Sequence, residues 1–194
     1  MSWPAYGNRS VVLQVLTVDD LFALKVTNLL HHLSIGRGIQ VVRAHNFDPH
    51  CLKRRAAPGE TLDPASVSLW TNHRVMEWLK QVDLAEYAPN LRGSGVHGGL
   101  LVLEPRFGDE LLATLLSIPA GKTLLRRHLS IHFKDLVGKD VVGEKRAAEQ
   151  DSSSAALTPT AKAKQRQMGQ FTLKRKKSKS QMDYTDLVCP FAQT

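Results

Sequence analysis

Between Trp70 and Leu136 the apolar residues recur in short bursts at helical spacing, and most of these bursts are closed by glycine or proline. Val75, Trp78, Leu79 and Val82 fall at i, i+3, i+4 and i+7, one face of a helix, with Thr71 or Asn72 placed to cap its start. Leu84, Tyr87 and Leu91 predict a second, short helix, and Pro89 is tolerable only in a first turn, so this helix should begin near Glu86. Gly93, Gly95, Gly98 and Gly99 punctuate the next stretch, before a single apolar turn of Leu100, Leu101 and Leu103 that ends at Pro105. Asp109 is placed to cap a fourth helix carrying Leu111, Leu112, Leu115 and Leu116. Pro119 marks where a fifth could start, with the stripe Leu125, Leu129, Phe133 and Leu136. Five helices in about 70 residues with short loops cannot all run parallel, so the expected fold class is all-α, a small orthogonal bundle over residues 66–138.

The flanks read differently. Thr17 followed by Asp20 resembles a capping box opening a short helix with Leu21, Phe22 and Leu24, and a longer apolar pattern follows from Leu29 to Val42. Two helices in that span are too few to bury a core unaided, so residues 13–50 must lean on something else, behind a leader at 1–12. From Asn46 to Pro64 the signals are Pro49, Lys53-Arg54-Arg55, Pro58-Gly59 and Pro64, the composition of a linker, which is placed at 51–65. Beyond Gly138 the apolar pattern stops and Ser, Thr, Ala, Lys and Gln take over, so 139–194 is expected to be a mostly disordered basic tail.

Charge follows the same division. Lys and Arg exceed Asp and Glu by 26 to 18, but residues 66–138 hold 8 basic and 7 acidic groups and 139–194 hold 11 and 6. A fold that binds nucleic acid through its own surface should carry the excess itself, and here the tail carries most of it. Cys51 and Cys189 are too few for a disulfide framework and wrongly spaced for zinc, which fits a reducing, intracellular setting. No apolar run approaches the roughly 20 residues that cross a bilayer, and the N-terminus lacks the apolar core of a secretory signal.

Trp70, Val75, Trp78-Leu79, Leu84, Tyr87, Leu91, Val96, Gly98 and Leu100-Leu101, with Lys122-Thr123-Leu124-Leu125-Arg126-Arg127 on the last helix, resemble a sterile alpha motif (SAM) domain. The runs from Asn72 to Leu79, Val82 to Gly99 and Leu124 to Leu129 resemble the last SAM repeat of the liprin-beta family. Leu16-Thr17-Val18-Asp19-Asp20-Leu21 and Leu30-His31-His32-Leu33-Ser34-Ile35 are similar to the back half of the preceding repeat, whose front half and upstream coiled coil have no counterpart here, the pattern of an N-terminally truncated form. The resemblance implies a cytoplasmic scaffold whose repeats pair with those of liprin-alpha at presynaptic active zones or cell-adhesion sites, and through it reach receptor tyrosine phosphatase complexes.

SAM domains commonly associate by setting the start of the last helix of one domain against the middle of another. Carried onto this sequence, the first surface is Gly121, Lys122, Leu125, Arg126 and Arg127, and the acidic counterpart draws on Glu104, Asp109 and Glu110. Trp78 belongs to the apolar stripe and hence to the core, whereas Trp70, just ahead of the first helix, is the better candidate for a contact between repeats. Ordinary solvated charge is the competing account of these clusters. His128 and His132 have metal-ligand spacing but no third ligand, and no nucleophile motif or phosphate loop is present, so neither catalysis nor a cofactor is expected. In the tail, Lys174, Arg175, Lys176, Lys177 and Lys179 would serve weak contact with an anionic membrane or nucleic acid, or nuclear import. An RNA-binding SAM domain using Lys122, Arg126 and Arg127 with that tail is the alternative function.

Overall fold

The computed structural model describes residues 16–59, 62–151 and 156–164. The expected all-helical architecture is found. Val18–Ala23 (α1) and Leu29–Ala44 (α2) come first, then a 3-10 turn at Pro49–Cys51 and the helices Pro64–Ser68 (α3) and Asn72–Gln81 (α4). A 3-10 turn at Ala88–Leu91 leads to Gly98–Leu103 (α5), Asp109–Leu115 (α6), Thr123–Val137 (α7) and Lys139–Gln150 (α8).

Local chemistry accounts for several boundaries. The capping box forms as the sequence predicts: the Thr17 hydroxyl accepts the Asp20 N–H at 3.3 Å and the Asp20 carboxylate accepts the Thr17 N–H at 2.8 Å. Asn28 caps α2 through Oδ1, at 2.8 Å from the Leu30 N–H. Asp63 caps α3 by accepting the Ser66 N–H at 2.9 Å, and Pro64 is the first residue of that helix, so the segment that composition marks as linker ends in ordered structure. Pro89 occupies the first turn of its element, as its missing N–H requires, but that element begins at Ala88 rather than near Glu86. Asp109 is the first residue of α6 and Gly108 is the cap, without a side-chain bond. The last helix of the SAM-like unit begins at Thr123, four residues past Pro119.

Trp70, Leu79, Leu84, Leu91, Leu100, Leu101, Phe107, Leu112, Leu116 and Phe133 are fully enclosed and form the core. Helix α5 lies in its centre, and two glycines permit this. A Cβ on Gly98 would stand 1.7 Å from the Val67 carbonyl oxygen on α3, and one on Gly99 would stand 2.7 Å from Val41 Cγ2 on α2. Gly98 and Gly99 are therefore the packing surface of a helix rather than loop punctuation.

Helix α2 leans on the bundle. Leu30, Leu33 and Val41 of α2 join the same core. The Ser34 hydroxyl donates to the Gly95 carbonyl at 2.6 Å, and His97 Nε2 lies 2.9 Å from the Ser34 carbonyl. Burial holds the His97 imidazole below its usual pKa, against the opposing pull of that carbonyl.

Order continues past the expected limit at Gly138. That residue, at φ 82°, ends α7 and starts α8 directly. Val141 and Lys145 are the buried residues of α8 and Val142 packs half-buried beside them, so its contact rests on two adjacent valines and one lysine stem, which leaves no apolar stripe at helical spacing for sequence reading to detect. Farther on, Leu157 inserts into the core at 8% exposure, and the chain from Leu157 to Ala163 straps across the head of α2. There the Leu29 N–H donates to the Ala161 carbonyl at 2.8 Å, the Ala163 N–H to the Thr27 carbonyl at 2.9 Å, and Asn28 Nδ2 to the Pro159 carbonyl at 2.8 Å.

Candidate partner-binding surface

The start of α7 presents the residues that the sequence singles out. Leu125 faces inward and packs, half-buried, against the core, which sets the rotation of the helix. That rotation turns Leu124 outward at 81% exposure, with the exposed Lys122 and Arg127 on either side of it along the chain. Lys122 Nζ donates to the Tyr87 hydroxyl at 2.9 Å, and this hydrogen bond raises the lysine pKa, so its charge is secure. One heptad along, Ile131 is 50% exposed and extends the outward apolar row. Leu124 was not among the sequence candidates. Its signal is an apolar residue one position out of phase with the stripe of Leu125, Leu129 and Phe133.

The expected acidic counterpart is differently disposed. Glu110 pairs with Arg126 of the same domain, Oε2 to Nη1 at 2.7 Å, and Asp109 pairs with Lys134 at 3.3 Å. Burial by itself would raise the Asp109 pKa, but bonds from Ser130 and Lys134 outweigh it and the net direction is down. Two clusters that complement one another between molecules in the sequence reading therefore meet within one molecule. The Glu110 side chain is 77% exposed, so the pair is worth about 0–1 kcal/mol and exchanges partners at little cost.

Two candidates are enclosed, so neither is open to another molecule. Glu104 is fully enclosed and cannot face a partner, because Arg37 of α2 approaches its Oε2 at 3.2 Å, Arg106 its Oε1 at 2.9 Å, and Lys145 of α8 its backbone carbonyl at 2.8 Å. It is the joint of three segments. Trp70 is 1% exposed, with the Arg74 guanidinium 4.0 Å over its ring and its carbonyl accepting the Gly98 N–H at 2.8 Å. Its ring lies in the core cluster that Leu30, Leu33 and Val41 of α2 also join, so it is closed to a separate partner while sharing a core with the preceding segment. His128 Nε2 lies 2.8 Å from the Val82 carbonyl, and its ring meets His132 edge-on at 4.4 Å. Among the described residues no group of three or more His, Cys, Asp or Glu could hold a metal, and no helix is long and apolar enough to cross a membrane. Lys174, Arg175, Lys176, Lys177 and Lys179 lie outside the described residues.

Comparison with known proteins places the geometry in a lineage. Residues 67–137 match the SAM domain (sterile alpha motif) family. The chain is 55% identical to human liprin-beta-1 over 179 residues, 92% of this chain and 18% of that protein. It is 35% identical to a liprin-beta homolog of Caenorhabditis elegans over 180 residues, 90% of this chain and again 18% of that protein. Human kazrin is 49% identical over 109 residues, 55% of this chain and 14% of kazrin. The chain thus spans under a fifth of the length of these relatives.

Proposed function

Because the chain is a liprin-beta relative with a SAM domain at residues 67–137, we propose that it is a non-enzymatic adaptor whose α7 face binds another SAM domain. The partner that the family resemblance favours is the SAM region of liprin-alpha, reached in the cytoplasm at presynaptic or adhesion sites, with receptor tyrosine phosphatase complexes one step further. The observation that carries this reading is the exposed Leu124 set between Lys122 and Arg127 on a rigid helix. An exposed apolar anchor with Arg127 one turn along the helix suits a partner presenting an apolar pocket with an acidic rim. Arg126, already engaged with Glu110, joins by exchanging one exposed carboxylate for another. The same engagement lessens the cationic charge that the RNA-binding alternative needs.

The test is calorimetric titration of the 194-residue chain with liprin-alpha SAM repeats, beside Leu124→Glu and Arg127→Glu. Loss of an interface anchor costs about 2 kcal/mol, roughly thirtyfold in Kd, and each variant should weaken binding by about that factor while melting like the parent. Binding of unchanged strength in both variants would place the interface elsewhere, and no binding by the folded parent would reject the partner.

A further inference from the structure

We propose that Thr158 is a phosphoacceptor for a proline-directed Ser/Thr kinase, gated by the strap in which it sits. Thr158-Pro159 is the one position in the chain where a serine or threonine precedes proline. A kinase of this class selects proline at +1, and reads the residues around the acceptor as an extended chain. Thr158 is exposed. The backbone around it is not extended. The Ala161 N–H closes a turn onto the Thr158 carbonyl at 3.2 Å, Leu157 is sunk in the core, and the Pro159 carbonyl is held by Asn28. An acceptor whose side chain is open but whose backbone is pinned on both sides is phosphorylated only from the state in which the strap has lifted.

The chemistry is an ordinary phosphoryl transfer. The Thr158 oxygen bonds to the γ-phosphorus of ATP, the bond from that phosphorus to the β,γ-bridging oxygen breaks, ADP leaves, and the hydroxyl proton passes to the base of the kinase. The product places a charge of about −2 four and six residues ahead of the exposed Lys162 and Lys164.

The experiment compares initial rates of Thr158 phosphorylation, mapped by mass spectrometry, in the full chain, in a peptide of residues 150–166, and in two variants of the full chain. Leu157→Ala removes the apolar anchor, and Ala163→Pro removes the N–H that the strap donates to Thr27 while leaving the anchor in place. The peptide should be modified about ten- to a hundredfold faster than the parent chain, the equilibrium equivalent of burying one leucine side chain. Both variants should approach the peptide rate. A peptide that the kinase does not modify would overturn the acceptor assignment. Equal rates in chain and peptide, or variants no faster than the parent, would overturn the gating.

Discussion

Glu104→Gln tests how the three segments of this molecule are joined. The substitution keeps the side-chain shape and removes the carboxylate that pairs with Arg37 and Arg106 and faces Lys145, leaving Glu144 and Glu149 to offset the lysine alone. Arg37 is 7% exposed and keeps only its bond to Gln40, at 2.9 Å, together with whatever the new amide oxygen accepts. Removing one member of a buried ion pair costs about 3–5 kcal/mol, because the survivor stays desolvated without compensation. Arg106, at 23% side-chain exposure, can turn to water, so most of that cost falls on the Arg37 contact and hence on the docking of α2. Against a total stability of about 5–15 kcal/mol the loss is large. Urea unfolding followed by fluorescence of the buried Trp70 and Trp78 reads it directly. The double variant Arg37→Met/Glu104→Gln should recover most of the loss, since it removes the stranded charge as well as its partner. A single-variant loss below about 1 kcal/mol, or a double variant no better than the single, would refute the account of Glu104 as the joint.

Two further outcomes follow from the same interior. Burial pushes the Lys145 amine from 10.5 to about 8, so the unfolded chain binds its proton more tightly. Stability should therefore rise with pH between about 8 and 10.5, by about 3 kcal/mol, with the full cost of the charge present below pH 8. Urea midpoints at pH 7.5 and 10, taken relative to Lys145→Met in which this contribution is absent, measure it, and a difference that does not change with pH rejects it. Gly98→Ala should cost about 3 kcal/mol or more, because its Cβ meets the Val67 carbonyl, which is backbone and cannot swing aside. Gly121→Ala, with open space around it, is the matched control and should melt within about a degree of the parent.

What the sequence made legible was the bundle, because apolar spacing on α4, α6 and α7 is a strong periodic signal and the core is built from it. The short helices after Trp70 were legible as apolar turns, with starts displaced by a residue or two where Gly108 or Ala88 did the work assigned to a neighbour, whereas α3 at Pro64–Ser68 was not, since its five residues carry a single apolar side chain of core size, Val67. Helix α8 was not legible, since a lysine occupies one of its two buried positions and lysine reads as solvent-facing. The strap was not legible either. It contributes one leucine, and its hydrogen bonds to α2 use its own backbone groups, one of them held by the Asn28 side chain, which leaves no mark in the strap's residue types.

The candidate surface shows the same limit in a sharper form. Opposite charges on one chain predict complementarity, but they do not say whether it is satisfied between molecules or within one. Glu110 lies 16 residues before Arg126, too far for a helical i,i+4 rule, and only the turn between α6 and α7 brings them to 2.7 Å. Glu104 and Arg37 are 67 residues apart and meet because two glycines let α5 press against both of its neighbours. With these pairs closed internally, the residue that distinguishes the α7 face is Leu124, whose exposure costs hydrophobic free energy that is recovered only when something covers it. A charge list therefore counts Arg126 and Glu104 among the partner contacts. A burial list removes Glu104, demotes Arg126 to an exchangeable pair, and puts Leu124 at the centre.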